Sequence, residues 1–212
     1  MTRGTGSAAS HPSRVVLGVT GSVAATLAPT LATAFRLLWS TDVRVVVTEA
    51  ALTFVTVPAL AVTTGHPVVG PGPAGADRGV VDHMDLARWA DLVVVAPATA
   101  NTIGQVAHGL ATDVLGSCIL ATEAPVVLAP SMNPSMWRNP RVQRNVGSLV
   151  EDGFGIVPPV LGTAMVDMAA GVGAMPPAPA LLRWLEAWLA DPSAAPSFEP
   201  PILRSPVARQ AG

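Results

Sequence analysis

Asp91-Leu92-Val93-Val94-Val95-Ala96-Pro97-Ala98-Thr99-Ala100-Asn101-Thr102 decides the fold. Its first half is a continuous apolar run rich in valine, which reads as a strand buried on both faces. Pro97 is expected to end that strand. Thr99 or Asn101 then opens a helix, because a short polar side chain can accept a bond from the unpaired N–H groups of a first turn. The helix is expected to run to about Thr122, with a break or close packing near Gly109, since glycine lowers helix propensity.

The same order of strand, small turn and helix recurs on either side. Arg14–Thr20 is a strand, followed by Gly21-Ser22-Val23 and an apolar-periodic segment to about Trp39. Val43–Thr48 is a second strand, with Thr48 placed to cap a weaker helical region, Leu52–Thr64, broken by Pro58. Val68–Gly79 is dense in proline and glycine and reads as a surface loop. Val81–Trp89 has helical spacing and delivers the strand at 91–96. Pro125–Ala129 is the fourth strand, 130–137 a loop, and Asn139-Pro140 the start of a helix to about Asp152. Phe154–Val157 is the fifth strand, and Leu161–Pro177 shows no clear period. Ala178–Leu189 is the last helix, with Leu181, Leu182, Leu185, Trp188 and Leu189 on one face. The alternation predicts an α/β fold, a single domain at 14–190 built on a doubly wound parallel sheet with right-handed crossovers. Residues 1–13 and 191–212 are expected to be disordered ends.

Composition narrows the class. The 212 residues are 50% hydrophobic and 12% charged, with net charge −2, and the mean hydropathy is +0.48. No uninterrupted apolar stretch reaches the ~18 residues of a membrane span, so no membrane association is expected. The apolar excess fits strands covered on both faces and subunit contacts. The charge gives no nucleic-acid footprint. Lysine is absent, and one cysteine, Cys118, rules out an internal disulfide and fits a reducing, cytoplasmic setting. Residues 1–13 lack the apolar run of a secretory signal.

Four turns follow four strands: Gly21-Ser22, Thr48, Pro97–Thr102 and Pro130–Asn133. In a doubly wound sheet these lie at the carboxyl edge, where ligands bind. Helix N-termini there favour an anion, and small side chains let it approach. One large planar, phosphorylated ligand such as a flavin mononucleotide fits this pattern, although each turn alone is also an ordinary tight connection or helix cap. The glycine pattern and downstream acid of an NAD site are missing. No metal site is expected. His83, at the head of the segment that delivers the third strand, is either structural or a proton carrier, since its pKa near ~6.5 suits transfer at neutral pH. Asn133 is either an Asx turn before Pro134 or a carboxylate holder. Met136 and Trp137 read equally well as core.

Taken together, His83-Met84-Asp85-Leu86, the segment PATANT at 97–102 beginning fourteen residues after His83, and Pro130-Ser131-Met132-Asn133-Pro134-Ser135-Met136-Trp137 resemble the homo-oligomeric flavin-containing cysteine decarboxylases. That family includes phosphopantothenoylcysteine decarboxylase and the peptidyl-cysteine decarboxylases of lantibiotic-type peptide biosynthesis. The resemblance spans about residues 14–190. It implies a Rossmann-like, flavodoxin-type sheet and a homo-oligomer, either a trimer or a dodecamer of trimers, with FMN, or FAD, between subunits. By position it implies flavin contacts at Gly21, Ser22, Val23, Thr48, Thr99, Ala100, Asn101, Thr102 and Ser131. It makes His83 the essential histidine and puts Asn133, Met136 and Asp167 on the substrate side.

One departure separates the subfamilies. The phosphopantothenoylcysteine enzymes carry a cysteine in a glycine-rich clamp, which donates a proton when the enethiol is reduced. The matching segment here is Met165-Val166-Asp167-Met168-Ala169-Ala170-Gly171-Val172-Gly173-Ala174-Met175, with Asp167 in the cysteine's place. Cys118 reads as a small buried hydrophobe. The expectation is therefore oxidative decarboxylation of the C-terminal cysteine of a ribosomally made precursor peptide, stopping at the enethiol used for aminovinyl-cysteine-type rings. Phosphopantothenoylcysteine decarboxylation in coenzyme A biosynthesis is the alternative. A non-catalytic flavin-binding regulatory subunit is an alternative from another class, against which the retention of His83 and Asn133 counts.

Overall fold

The computed structural model describes residues 11–71, 82–163 and 170–193. The expected disordered ends fall largely outside these residues, as does Asp167. Strand β1 (Arg14–Val19) leads through a 3-10 turn, Val23–Leu27, into helix α1 (Ala28–Leu38). Strand β2 (Asp42–Val47) is followed by a 3-10 turn, Glu49–Thr53, and helix α2 (Val57–Thr64). Then come α3 (Asp82–Trp89), β3 (Leu92–Ala98), α4 (Ala100–Ala107), α5 (Val114–Ala121), β4 (Val126–Pro130), α6 (Pro134–Trp137), α7 (Pro140–Glu151) and β5 (Gly155–Ile156). Strands β6 (Val160–Thr163) and β7 (Ala170–Ala174) precede α8 (Ala178–Ala190).

Strands β1 to β5 form one parallel sheet in the order β2-β1-β3-β4-β5. This is the flavodoxin-like order, whose chain direction reverses beside β1. Alternate residues of each strand enter opposite cores, as a two-residue period demands. Val15, Leu17, Val43, Val45 and Val94 pack with Leu31 and Phe35 of α1 and Leu181 and Leu185 of α8. Val16, Val46, Val93 and Val95 pack with Leu86 of α3, Ile103 of α4, Leu115 and Cys118 of α5 and Leu149 of α7. Each such fully buried Val or Leu contributes roughly 1.5–3 kcal/mol of transfer free energy. The doubly wound α/β reading is thus the observed architecture. No helix among the described residues is long and apolar enough to cross a membrane.

Four local readings need correction and one, the break near Gly109, is borne out. Pro97 does not end β3. The strand runs on to Ala98, and the β3–β4 register shifts between Val95 and Ala98, where the residue without an N–H sits. Pro58 opens α2 rather than breaking a helix, since the first turn needs no N–H from it. The helical stretch after Asn101 does break near Gly109 as expected: Gly109 adopts φ +64 and parts α4 from α5. The loop from Val68 begins with a strand-like step, because Val69 pairs with β2 through Val47 N–H to Val69 C=O and Val69 N–H to Val45 C=O, at 2.8 and 2.9 Å. Finally, β6 and β7 form an antiparallel hairpin where no period was read.

Candidate active site

The carboxyl ends of β1, β2, β3 and β4 surround a cavity of about 1000 Å³. Gly21, Ser22, Thr48, Thr99, Ala100, Asn101, Thr102 and Ser131 all line it, so four turns distant in sequence meet on one void. Val23 does not. It turns instead to an adjoining hollow of about 340 Å³, which Ser22, Ser131 and Met132 share with the cavity and which Asn133, Gly171 and Gly173 close.

Helix starts aim at the larger cavity. The Thr99 hydroxyl accepts from Thr102 N–H at 3.2 Å and so caps α4, while the Asp113 carboxylate accepts from Gly116 N–H at 2.8 Å and caps α5. Ser22 caps its 3-10 turn by accepting from Ala24 N–H. Thr48 stands at the cap position of the next 3-10 turn without a capping bond from its side chain. The described lining holds no arginine or lysine. Among the described residues, what can meet an anion here is hydroxyls, backbone N–H groups and helix dipoles. Gly21 makes the lining thin, since a Cβ at that position would stand 2.4 Å from the Ala50 Cβ.

Sequence reasoning missed Glu49, Gln105, Thr112 and Asp113, which line the same cavity. Gln105 donates to the Thr112 hydroxyl at 2.9 Å, tying α4 to the linker before α5. For Asp113 alone a signal was available, an Asp directly before the apolar run that starts at Val114.

Asn133 caps α6, its side-chain oxygen accepting from Ser135 N–H and Ser135 Oγ–H at 2.8 and 2.7 Å. It therefore forms the Asx turn and also faces the hollow. Trp137 is core, whereas Met136, 47% exposed, lines the cavity. Strand β7 lies across the Asn133 turn. Met132 N–H donates to Gly173 C=O at 2.9 Å, and a Cβ on Gly173 would stand 2.4 Å from the Met132 carbonyl oxygen. Gly171 packs against the Pro134 ring in the same way.

His83 sits in the first turn of α3, half-buried. Because α3 runs into β3, its start lies at the carboxyl edge of the sheet, beside α5. His83 lines neither void of the single chain. Cys118 is fully buried in the core under α5, and burial pushes its thiol up to about 11.

The flavoprotein family model matches residues 4–190. The chain belongs to the flavoprotein family. This flavoprotein is 41% identical over 159 residues to the coenzyme A biosynthesis bifunctional protein CoaBC of Escherichia coli (strain K12), an alignment that covers 74% of the chain and 39% of that relative. The chain thus spans about two fifths of the length of the curated relative. Among solved structures, it is similar to a cysteine-to-serine mutant of PPC decarboxylase complexed with pantothenoylaminoethenethiol, at 32% identity and a TM-score of 0.73, covering 85% of this chain and all of that one. It is also similar to the FMN-dependent cysteine decarboxylase SpaF, at 35% identity and a TM-score of 0.65, covering 82% of this chain and 97% of the other. The resemblance read from the three motifs is thereby shown at the level of the family: its neighbours are flavin-dependent cysteine decarboxylases.

Proposed function

We propose that this flavoprotein oxidatively decarboxylates a terminal cysteinyl group. The single observation that carries this is the juxtaposition of two voids across Ser22, Ser131 and Met132, one framed by strand-end turns and the other by Asn133. Thr99–Thr102, Gly21-Ser22, Thr48 and Ser131 would hold FMN in the larger void, with FAD as the wider option. When bound, the flavin supplies a two-electron acceptor for the cysteinyl thiol. Loss of CO₂ from cysteine itself would leave an unstabilised carbanion. The corresponding thioaldehyde carries C=S β to the carboxylate, so its decarboxylation leaves a delocalised enethiolate. Asn133 holds the carboxylate and His83 takes the thiol proton. Since His83 lines neither void of its own chain, the working site is completed by a second copy in a homo-oligomer, a trimer or a dodecamer of trimers.

The relatives' names favour phosphopantothenoylcysteine as the substrate over a peptide, and we take it as the first reading. A peptide ending in cysteine is the second, and one observation favours it. The chain's one cysteine is buried in the core, and Asp167 stands where the resemblance expects the reducing cysteine. A chain so built is expected to release an enethiol and to return its electrons to an external oxidant. The test is to incubate the FMN-loaded protein with phosphopantothenoylcysteine and, separately, with a cysteine-terminated peptide, and to weigh the products. Loss of CO₂ and two hydrogens marks the enethiol, and loss of CO₂ alone marks the saturated thiol. Saturated product from phosphopantothenoylcysteine would overturn the enethiol assignment, while no reaction with either substrate, flavin being bound, would remove decarboxylation itself.

A further inference from the structure

Hydrogen bonds join the strand ends around the larger cavity into a closed rim. Thr48 N–H donates to Val19 C=O at 3.0 Å, tying the β2 turn to β1. Ser131 N–H donates to Ala98 C=O at 3.0 Å, tying β4 to β3. The Ser22 and Ser131 hydroxyls pair at 3.0 Å, tying the β1 turn to the β4 turn. The remaining link, from β1 to β3, is made by one side chain. The Thr20 hydroxyl donates to Pro97 C=O at 2.7 Å and accepts from Thr99 N–H at 3.0 Å.

Thr20 differs from the other links in two respects. It is 1% exposed, so neither bond can be replaced by water. It also uses both hydrogen-bonding roles of its hydroxyl, one on each side of Ala98. Pro97 has no N–H and the β3–β4 register slips before Ala98, so β4 holds this stretch at Ala98, while the Thr20 hydroxyl takes up Pro97 C=O and Thr99 N–H on either side of it. Thr99 is the cap of α4, and Gly21-Ser22 follow Thr20 directly. Thr20 touches neither void, yet both turns it joins line the larger one.

We propose that Thr20 is a positioning residue for the cofactor: its hydroxyl sets the Gly21-Ser22 turn and the start of α4 at the separation that a flavin requires. The proposal rests on the flavin reading of the cavity. Thr20→Val keeps the shape and removes both bonds, while Thr20→Ser keeps the hydroxyl. In titrations of apoprotein with FMN followed by quenching of flavin fluorescence, T20V is expected to bind about ten- to a hundredfold more weakly, the cost of two buried bonds. T20S is expected to stay within about threefold of wild type, because the hydroxyl still bridges the two turns. A flavin absorption band altered in T20V and restored in T20S would mark a change at the site rather than a general loss of stability. Equal affinity in T20V and wild type would overturn the role of Thr20 alone, whereas a wild-type apoprotein that does not bind FMN would overturn the flavin reading and this role with it. Should T20V not fold, amide exchange in the wild-type apoprotein decides: slow exchange at Thr99 N–H supports the bridge, and exchange at the rate of an open amide overturns it.

Discussion

The larger cavity and the adjoining hollow share Ser22, Ser131 and Met132 but are held in different ways. The cavity is part of the sheet. Its turns continue buried strands, and the rim through Thr20, Ser131 and Thr48 fixes them to one another. The hollow is closed by a hairpin that meets the rest of the site through a backbone bond, Met132 N–H to Gly173 C=O, and through two glycines packed on Met132 and Pro134. On the proposed reading the first is a rigid scaffold for the cofactor and the second a lighter element that meets the substrate, and such devices are separable. Mutations ought to separate them.

The largest effect is expected outside both. His83→Asn should lower decarboxylation by about 10²- to 10⁴-fold, the usual weight of a proton-transfer group, with FMN binding intact. If His83 acts across a subunit boundary, mixing His83→Asn protein with Asn133→Ala protein and allowing exchange should restore turnover that neither has alone. Absence of restoration in exchanged oligomers would place His83 and Asn133 in one chain's site.

Paired glycine substitutions should then divide cofactor from substrate. At Gly21 an added Cβ meets Ala50 at 2.4 Å, and at Gly173 it meets the Met132 carbonyl at the same distance. Overpacking of this kind costs roughly 1–3 kcal/mol, about five- to 150-fold in a binding constant. Gly21→Ala is expected to weaken FMN binding. Gly173→Ala is expected to leave it unchanged and to raise KM for the cysteinyl substrate. If both variants lost flavin equally, the two halves would be a single device and the contrast would fail.

Asn133→Asp sharpens the substrate half. Aspartate caps a helix as well as asparagine and sits favourably at its start, so the melting temperature should hold. A fixed negative charge facing the substrate carboxylate should raise KM by about tenfold. A KM equal to wild type would show that Asn133 serves only its Asx turn.

The same contrast governs what could be read from the chain. The cavity was legible because its turns follow β-branched, doubly buried strands, whose order dictates a common edge. The hairpin was not legible. Val160–Thr163 and Ala170–Ala174 lack the alternation of a strand, and their glycines are there to let backbone approach backbone, a tertiary requirement with no period in sequence. Helix α6 is one turn long, too short for periodicity, so it read as loop. Pro97 misled because a proline in a strand ordinarily marks its end, and here a register shift accommodates it. Glu49 and Asp113 were missed because a cavity recruits side chains from neighbouring helix starts without regard to motif.

The smallest effect belongs at the opposite edge of the sheet, where it serves as the control for the contrast. Arg14, at the start of β1, donates to the Asp91 carboxylate at 2.6 Å through Nη2, clamping β1 to the entry of β3. Hydrogen bonding from Arg14 holds the Asp91 carboxyl below its ordinary range. A depressed carboxyl contributes stability that is present above its unfolded pKa and is lost as pH falls through its folded one. Asp91→Asn should therefore melt slightly below wild type at neutral pH, and the gap should close as the pH drops through the carboxylate range. The pair is exposed and screened, so the gap is small and should shrink further with salt. FMN affinity and KM should both stay at wild-type values, since the clamp lies a full strand length from the rim. A loss of flavin in Asp91→Asn would mean that strain at one end of β1 and β3 reaches the other, and that Thr20 alone does not set the spacing at which the cofactor turns are held.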